Sequence, residues 1–444
     1  MPYLPNTISD QQAMLDAIGA GSIDELFASI PEALKLHRPL DLPPAMGELE
    51  LTRHVTALAA RNRPAGQCAS FLGGGSYDHF IPAVVDAVAG RSEFYTAYTP
   101  YQPEASQGTL QAMFEYQTLI TELMGMDVSN ASLYDGASAV AEAVLMALGA
   151  TRRNRVAVAG SLHPEIRQVL TTYLANLDVA LDVIDAPEGA LTPDDARRAV
   201  TEQTACLLVG QPNFFGCLEP MDELGRIAHD QGALLVAMVD PISLGLLKRP
   251  GEYGADLVAA EGQALGCPLG FGGPYLGILA CREKFLRRMP GRLVGETTDR
   301  RGKRCFVLTL QTREQHIRRE KATSNICTNQ GLLALRASVY LALMGPEGMR
   351  QVAELCLQKA HYAMQRLTAD GALRPAFDQP FFKEFTLRAA GATAADLVEQ
   401  ALAGDILAGP ALGRWYPELA DCLLVAVTEK RTRDEIDRLA SVFG

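Results

Sequence analysis

A glycine-rich stretch, EGQALGCPLGFGGP at residues 261–274, lies between two short apolar runs in the second half of the chain. The run before it, ADLVAA at 255–260, and the run after it, YLGILA at 275–280, have the length and composition of buried strands. Glycine and proline favour a turn over the continuation of either strand. The three segments together therefore predict a hairpin that joins two strands of a sheet.

Strands and helices alternate on the N-terminal side of this hairpin. Further apolar runs of strand length are at 156–159, 180–184, 205–209 and 233–239. Helical segments separate several of them, and one begins with an N-cap threonine, Thr192, followed by a proline and two aspartates. Strands that alternate with helices form a mostly parallel sheet with both faces covered. The sequence therefore predicts an α/β fold with a large three-layer α/β/α domain.

Three regions are predicted along the chain. Residues 1–65 have helical apolar spacing, and we expect a helical arm that packs on the main body or on a partner chain. Residues 66–340 form the large domain. Residues 341–444 combine a long helical stretch with two strand-like runs, and they predict a smaller C-terminal α/β domain.

Composition excludes several classes of protein. The chain of 444 residues has a formal net charge of −12, which makes nucleic acid and anionic membrane unlikely partners. No apolar run approaches the ~20 residues that span a bilayer, and no signal peptide is visible. Nine cysteines without a C-x-x-C pair argue against a zinc site or a disulfide framework. We therefore expect a cytoplasmic protein with reduced thiols and no metal.

Positive charge is concentrated in one segment. Between Arg282 and Lys321 there are 13 Lys or Arg and only 5 Asp or Glu. This segment is either a solvated, internally paired loop region or a docking surface for an acidic partner.

Three features at predicted strand and helix ends are candidates for a ligand site. Asp135, Gly136, Ala137 and Ser138 open a helix whose N–H groups suit a phosphate, although capped helix starts are common. Asp240 ends a strand, where it either meets a ligand or caps the next turn. His163 precedes Pro164 at a helix start and has the position of a residue that stacks on a cofactor, although a lone histidine is usually an ordinary polar residue.

The hairpin bears on the identity of that cofactor. Many pyridoxal-phosphate (PLP) enzymes carry the cofactor's lysine in such a hairpin, with an aspartate in the place of Asp240 beside the ring nitrogen. Here Gln263 and Ala264 occupy the lysine's position, and none of the eight lysines of the chain lies in the hairpin. No H-E-x-x-H, G-x-S-x-G or P-loop motif offers another chemistry.

Four stretches together resemble one family, the glycine decarboxylase P-proteins of the glycine cleavage system. They are YTPYQPEASQG at 98–108, GFGGP at 270–274, MPGRLVG at 289–295 and LQTREQHIRREKATSNICT at 310–328. The resemblance covers nearly the whole chain, and it is least distinctive over the last ~80 residues. The length and motifs are similar to the N-terminal-half type of that family, the α subunit or subunit 1.

The resemblance implies a type I PLP-dependent, aspartate-aminotransferase-like fold. It also implies an α2β2 heterotetramer in which the β subunit holds the PLP lysine and the α subunit has no catalytic residue of its own. The reaction implied is decarboxylation of glycine on PLP and transfer of the aminomethyl group to the lipoyl group of the H-protein. The absent lysine is then the expected state of this half.

The resemblance also suggests which residues complete the partner's active site. The candidates are Tyr95, Tyr98, Tyr101, Gln102, Glu104, Ser106, Gln107 and His79. The alternative is an ordered loop that packs on its own domain. In the basic segment, residues that line the approach of an acidic H-protein, unless they are paired internally, are Arg313, His316, Arg318 and Arg319.

Two other hypotheses remain open from the sequence. One is a stand-alone PLP enzyme with a displaced lysine, and the other is a scaffold or regulatory protein that kept the fold and lost the activity. If the vestigial site holds no cofactor, we expect Asp240 to pair with a nearby cation or with water.

Overall fold

The computed structural model describes residues 6–322, 324–327 and 330–444. Residues 1–5 of the predicted arm, and residues 323 and 328 of the longest family-like stretch, lie outside the described residues. The contacts divide the chain into two units, Met1–Arg63 and Pro64–Gly444. No helix of the described residues has both the length and the apolar character needed to cross a bilayer.

The strands of the described residues are β1 Ala69–Ser70, β2 Val128–Ser129, β3 Arg155–Ala159, β4 Ala180–Ile184, β5 Thr204–Gln211, β6 Leu234–Val239, β7 Leu257–Glu261, β8 Gly277–Cys281, β9 Leu293–Thr298, β10 Arg304–Thr309, β11 Leu373–Pro375, β12 Glu384–Ala389, β13 Ile406–Leu407 and β14 Cys422–Ala426.

The α-helices of the described residues are α1 Ile8–Ile18, α2 Glu48–Ala59, α3 Ala83–Ala89, α4 Ser92–Tyr95, α5 Gln107–Met124, α6 Gly136–Thr151, α7 Pro164–Leu174, α8 Pro193–Ala199, α9 Met221–Asp230, α10 Gln315–Arg318, α11 Gly331–Leu367, α12 Ala394–Ala403 and α13 Arg433–Phe443.

A seven-stranded sheet with the order β2-β8-β7-β6-β5-β3-β4 is the centre of the second unit. Strands β3 to β7 are parallel, and β8 runs antiparallel to both of its neighbours. The hairpin predicted at 261–274 is the connection between β7 and β8, and the mostly parallel sheet expected from the sequence is confirmed.

Helices cover both faces of this sheet. Alternate side chains of β5 point to opposite sides: Leu207 packs in the core that contains α5, α9 and α11, and Leu208 packs in the core that contains α6 and α7. Strand β5 is buried over almost its whole length, as expected for the middle of a parallel sheet. The three layers therefore place the carboxyl ends of β5, β6 and β7 side by side.

The C-terminal part contains a three-stranded antiparallel sheet with the order β11-β12-β14. Helix α11 leads into it and is interrupted at Gly345, which has a φ of 58° outside the helical range. The boundary predicted between residues 340 and 341 falls inside α11 and stays a prediction. Strand β12 begins at Glu384, so the residue before it, Lys383, lies where this sheet meets the rest of the unit.

Residues 6–63, the described part of the first unit, form no core of their own. None of residues 6–63 is buried. Helix α1 begins with a capping box at Thr7 and Asp10, and helix α2 begins after Gly47. The helices of the arm are therefore specified locally, by caps and propensity, rather than by tertiary packing.

Candidate functional site

The candidate site is a cleft at the carboxyl ends of β5, β6 and β7, where parallel α/β sheets bind ligands. An inner cavity of about 70 Å³ reaches Asp240 at the end of β6. An outer cavity of about 430 Å³ reaches the start of α6 at Asp135, Gly136 and Ala137. His163 lines both cavities. The structure thus groups the positions proposed from the sequence, with Ser138 and Gln263 adjoining this lining.

Gln263 occupies the position at which a cofactor lysine was expected. Its Oε1 accepts a hydrogen bond from the N–H of Tyr77 at 2.8 Å, and its Nε2 donates to the carbonyls of Tyr77 at 3.1 Å and Cys267 at 2.9 Å. The neighbouring Ala264 is buried and has no polar side-chain atom. The carboxamide therefore joins the hairpin to the glycine-rich loop at residues 73–79. A lysine has no acceptor and cannot reproduce this two-way bond.

A buried ion pair closes the inner end of the cleft. The Nζ atom of Lys383 lies 2.9 Å from Oδ2 of Asp240, and only 2% of the Lys383 side chain is exposed. The other carboxylate oxygen, Oδ1, accepts a hydrogen bond from the N–H of Ile242 at 3.1 Å. Asp240 thus both caps the turn after β6 and pairs with a cation, and the cation expected beside it is Lys383.

Two more side chains hold the Lys383 ammonium. Its Nζ lies 2.9 Å from Nε2 of His79 and 3.5 Å from the centroid of the Tyr77 ring, in a cation–π contact. The Nδ1 atom of His79 lies 2.6 Å from Oε2 of Glu429. Burial and the nearby Lys383 lower the pKa of His79. A neutral imidazole that donates from Nδ1 to Glu429 and accepts at Nε2 from Lys383 satisfies both ring nitrogens.

Glu384 occupies the same end of the cleft. Its Oε1 accepts a hydrogen bond from the N–H of Gly74 at 2.6 Å, and its Oε2 accepts one from the hydroxyl of Tyr77 at 2.6 Å. Burial raises the pKa of Glu384 to about 7. The approach requires a glycine at residue 73, since a Cβ on Gly73 would lie 2.0 Å from Oε1 of Glu384.

Two carboxylates of the chain itself occupy the start of α6. Asp135 is the N-cap, and its Oδ1 accepts from the N–H of Ser138 at 2.7 Å. The Oε2 atom of Glu261 accepts from the N–H of Gly136 at 2.9 Å, while its Oε1 accepts from the N–H of Gln263 at 3.0 Å. Burial raises the pKa of Glu261 to about 7. The N–H groups of Gly136 and Ser138, two of those expected to meet a phosphate, therefore already have acceptors within the chain.

His163 is at the cleft, and contacts within the chain hold its ring. It is the N-cap of α7, and its Nδ1 accepts from the N–H of Glu165 at 3.1 Å. Its ring centroid lies 4.5 Å from that of Phe214 and 6.3 Å from that of Trp415. Burial lowers the pKa of His163, which favours the neutral ring that this cap requires.

The residues of this cleft do not fit a pyridoxal phosphate. The hairpin has no amine, Asp240 already has a cation, and the helix start already has carboxylates, which repel a phosphate. The outer cavity of about 430 Å³ is within the usual ~300–1,000 Å³ of a ligand pocket, but the inner cavity that reaches Asp240 is only about 70 Å³. The cleft has the layout of a cofactor site, but the chain's own side chains occupy its anchoring positions.

The aromatic loop at residues 94–108 forms a separate surface. Three tyrosines are exposed: Tyr95 by 66%, Tyr98 by 81% and Tyr101 by 52%. Gln102 and Glu104 are also exposed. The exposed side chains leave this loop with a face that its own domain does not cover.

Two other candidates have structural contacts within the chain. The Nε2 atom of Gln107 donates to the Phe306 carbonyl at 2.8 Å, and its Oε1 accepts from the Phe306 N–H at 2.9 Å, so it anchors β10. His79 is buried in the cleft and does not lie on the exposed face. Ser106 is half-buried and precedes α5.

A cavity of about 220 Å³ adjoins the aromatic loop. It is lined by Phe94, Ala97, Tyr98, Thr99, Pro100, Thr109, Ala112, Met113, Arg292 and residues 330–335. Arg292 is buried and donates from Nη2 to the hydroxyl of Thr99 at 3.2 Å. The loop therefore has a mainly apolar recess with one guanidinium at its wall.

The basic segment divides into internal and exposed residues. Arg313 donates from Nη2 to the carbonyl of Gly291 at 2.8 Å, and burial lowers its pKa. His316, Arg318 and Arg319 are exposed. The ring of His316 meets the ring of Tyr101 at 5.7 Å between centroids, so this segment adjoins the aromatic loop. A cavity of about 290 Å³ is lined by Arg287, Leu310, Thr312, Arg313, Arg318 and Lys321.

The sequence did not single out Lys383, Glu384, Glu429 or Glu261. Three of them lie more than 100 residues after the hairpin, and no motif surrounds them. His79, Cys356 and Glu429 place metal-ligand atoms within 4.8 Å of one another, and His79 and Glu429 hydrogen-bond directly. The nearby ammonium of Lys383 supplies the positive charge at this cluster. All nine cysteines are free thiols.

Known proteins resemble this chain over its whole length. The chain is 54% identical over 444 residues to the "Probable glycine dehydrogenase (decarboxylating) subunit 1" of Carboxydothermus hydrogenoformans, covering 100% of this chain and 99% of the relative. A crystal structure of glycine decarboxylase (P-protein) of the glycine cleavage system, in inhibitor-bound form, superposes with a TM-score of 0.91 at 43% identity, covering 100% of this chain and 99% of that chain.

A more distant solved structure shows the fold alone. The glutamate decarboxylase of Lactobacillus brevis superposes with a TM-score of 0.70 at 11% identity, covering 93% of this chain and 95% of that chain. These matches confirm the PLP-dependent fold expected from the sequence. The sequence profile of one family, "Glycine cleavage system P-protein", matches residues 1–443. The chain is therefore a member of the glycine cleavage system P-protein family.

Proposed function

We propose that this chain is subunit 1 of a two-subunit glycine decarboxylase and that a second subunit holds the pyridoxal phosphate. The observation that carries the proposal is the full-length similarity to subunit 1 of glycine dehydrogenase (decarboxylating), combined with a carboxamide, Gln263, at the lysine position. The partner, the α2β2 assembly, the H-protein, glycine as substrate and a cytoplasmic location are parts of this proposal.

The position of Lys383 in the cleft supports the proposal that another chain binds the cofactor. The chain's own amine, Lys383, lies at Asp240 and not in the hairpin, so it is at the wrong end of the cleft to bond a cofactor aldehyde. A stand-alone enzyme with a displaced lysine is therefore disfavoured. The chemistry of decarboxylation belongs to the cofactor, which acts as the electron sink where it is bound.

The arm supports a partner chain. Sixteen large apolar side chains between residues 8 and 58 are exposed, and none of residues 6–63 is buried. Burying one such side chain stabilises by about 1.5–3 kcal/mol, so a covering surface is strongly favoured. We assign this surface to the cofactor-binding subunit. The exposed side chains are Ile8, Met14, Ile18, Ile23, Leu26, Phe27, Ile30, Leu34, Leu36, Leu40, Leu42, Met46, Leu49, Leu51, Val55 and Leu58.

The aromatic loop supports a role in completing the partner's site. Tyr98 and Tyr101 are large, rigid and exposed, and tyrosine is among the residues that contribute most to protein interfaces. Their hydroxyls are available to orient a carboxylate or a phosphate across the boundary, with Tyr95, Gln102 and Glu104 beside them. A site closed between two chains also excludes water from a reactive carbon.

The basic segment supports the approach of an acidic lipoyl carrier. Its exposed residues, His316, Arg318 and Arg319, lie next to Tyr101 through the His316 ring contact. The exposed guanidinium groups of Arg318 and Arg319 would raise the rate of encounter with an acidic partner. The carrier's lipoyl arm would then enter beside the aromatic loop.

Reconstitution tests the proposal. The chain is purified alone and with a cofactor-binding P-protein subunit, and glycine–bicarbonate exchange is assayed with lipoylated H-protein. We expect no exchange and no PLP absorption band with the lone chain, and both with the pair. A band and activity in the lone chain would identify a stand-alone enzyme. Activity of the partner that does not rise when this chain joins it would identify a scaffold.

A further inference from the structure

Four separate segments of the chain meet at one buried amine. Lys383 precedes β12, Asp240 ends β6, and Tyr77 and His79 belong to the glycine-rich loop. Glu429 follows β14 and reaches the amine through His79. All five side chains are buried or nearly so. Such a convergence of ionisable groups away from solvent requires an explanation, because unpaired buried charges are costly.

The amine occupies the place of a ring nitrogen. In a cleft of this layout the carboxylate at the end of β6 would pair with a protonated pyridine nitrogen. Here a point cation, the Lys383 ammonium, lies 2.9 Å from Oδ2 of Asp240 and has 2% of its side chain exposed. Tyr77 and His79 enclose it on other sides at 3.5 Å and 2.9 Å. Because Oδ2 is buried, an aromatic ring would have to displace the ammonium to reach it.

A carboxylate occupies the place of a phosphate. Glu261 accepts from the N–H of Gly136 at the start of α6, and Asp135 accepts from the N–H of Ser138 two residues later. Both are carboxyl groups whose oxygens accept hydrogen bonds at the positive end of a 16-residue helix, where the oxygens of a phosphate would otherwise lie. The chain itself thus supplies a cation at one end of the cleft and hydrogen-bond acceptors at the other.

We propose that this cleft is a cofactor-free electrostatic joint, in which Lys383 replaces a cofactor's ring nitrogen and Glu261 replaces its phosphate. The joint connects the C-terminal sheet, through Lys383 and Glu384, to the large sheet and to the glycine-rich loop. It gives the cleft a structural role in this chain alone. The inference does not depend on which chain holds the cofactor or on what the assembly catalyses.

The charge balance of the joint makes it testable by paired substitutions. Lys383→Met removes the cation and leaves Asp240 buried without it. Asp240→Asn leaves the ammonium without its nearest anion. We expect each single change to raise the unfolding equilibrium constant in urea by about 100-fold or more, as for other broken buried pairs. The double variant Lys383→Met with Asp240→Asn removes both charges and should be more stable than Lys383→Met alone.

The double variant also covers the case in which a single variant does not fold. A folded double variant, alongside a weaker or unfolded single one, supports the joint. Single effects that simply add in the double variant overturn it, because independent residues show additive losses. A matched control is Lys430→Met, which removes the partly exposed cation that pairs with Asp78, and we expect a much smaller loss.

A ligand that binds without a lysine tests whether Lys383 and Glu261 take the places of the cofactor's ring nitrogen and phosphate. Pyridoxamine phosphate carries the ring nitrogen and the phosphate but no aldehyde, so surface lysines do not trap it. Equilibrium dialysis against the full-length chain should give no saturable binding up to millimolar concentration. Absence of binding, or weak binding that Asp240→Asn does not change, supports the proposal. Saturable one-to-one binding that Asp240→Asn weakens overturns it, because the cleft would then accept the cofactor.

Discussion

The side chain of Gln263 forms two opposed hydrogen bonds with the backbone of Tyr77. Oε1 accepts from the N–H at 2.8 Å and Nε2 donates to the carbonyl at 3.1 Å, in the manner of one step of a sheet ladder. The position at which related folds carry a reactive amine is therefore used here to hold a loop in place.

Substitution of this glutamine by the missing lysine should weaken the fold and restore no chemistry. Gln263→Lys leaves the buried N–H of Tyr77 without its acceptor and places a cation at a buried position, so we expect the free energy of unfolding to fall by about 1–3 kcal/mol. Urea denaturation of the chain measures this. Gln263→Met, which removes both hydrogen bonds without adding charge, is the control and should lose less. A lysine variant as stable as the native chain would contradict the prediction.

Removal of an exposed tyrosine should affect assembly and leave folding intact. The side chain of Tyr98 is 81% exposed, so Tyr98→Ala should leave the urea midpoint of the lone chain unchanged. We expect binding to the cofactor-binding subunit to weaken at least about tenfold, as for an interface hot spot. Analytical ultracentrifugation of mixtures measures it. Leu402→Ala, at an exposed residue of α12, is the control, and equal binding by both variants would contradict the assignment of the loop.

Deletion of residues 1–63 should separate folding from assembly. The apolar core clusters consist of residues from Ala69 onward, and the arm has no buried residue. The shortened chain should therefore keep a cooperative unfolding transition and fail to form a stable complex with the cofactor-binding subunit. Size-exclusion chromatography with light scattering distinguishes the two outcomes. A shortened chain that still assembles would show that the arm is not the interface.

The stability of the chain should depend on pH through Glu142. This side chain is buried on α6, its Oε1 accepts from the hydroxyl of Ser324 at 2.9 Å, and burial raises its pKa to about 7. Between its ordinary pKa and this value the folded chain holds a proton that the unfolded chain has lost. The free energy of unfolding therefore falls as pH rises through this window, and the loss is complete above it.

A neutral replacement should abolish that loss. Glu142→Gln should match the native chain near pH 5 and exceed its free energy of unfolding by about 1–3 kcal/mol near pH 8. Urea denaturation across this range gives the comparison. Glu202→Gln changes an exposed residue of the loop before β5 and is the control. Its free energy of unfolding should follow that of the native chain at every pH. If the free energy of unfolding of Glu142→Gln also followed that of the native chain at every pH, the pKa assignment would be wrong.

Reversal of charge in the basic segment should affect the encounter with the lipoyl carrier. With Arg318→Glu and Arg319→Glu together, we expect the KM for H-protein to rise about tenfold at low ionic strength while kcat for glycine exchange is unchanged. The difference should shrink as salt is added. Arg438→Glu, at an exposed residue of α13, is the matched control. An unchanged KM with a lowered kcat would place these arginines in another role.

The sequence predicted the strands and helix starts better than the side-chain contacts between distant segments. The strands around the hairpin, the N-cap at Asp135 and the position of Asp240 follow from local pattern, because period, caps and turn residues act over a few positions. Lys383 could not be found in this way, since it lies 143 residues after Asp240 in the chain and meets it only through the placement of β12. Long-range partners depend on topology rather than on local preference.

The hairpin formed by β9 and β10 shows a second limit. It lies in the basic segment, where charge hides the strand pattern, and Gln107 anchors it from α5 across 199 positions of sequence. Gln107 was proposed for a partner's site, yet both ends of its carboxamide are bonded within this chain. An amide in a motif serves structure as readily as recognition, and sequence alone does not separate the two.

The chain's own side chains in the cleft also make cofactor binding hard to acquire by single substitutions. A change of Gln263 alone leaves the buried N–H of Tyr77 without an acceptor, and a change of Lys383 alone leaves Asp240 without its cation. A change of Glu261 alone removes the acceptor of the Gly136 N–H. Each of these single substitutions would lower stability without adding an activity. Selection would therefore remove it before a second substitution could follow. In the proposed two-subunit enzyme, these mutually dependent residues would keep the cofactor on the other subunit.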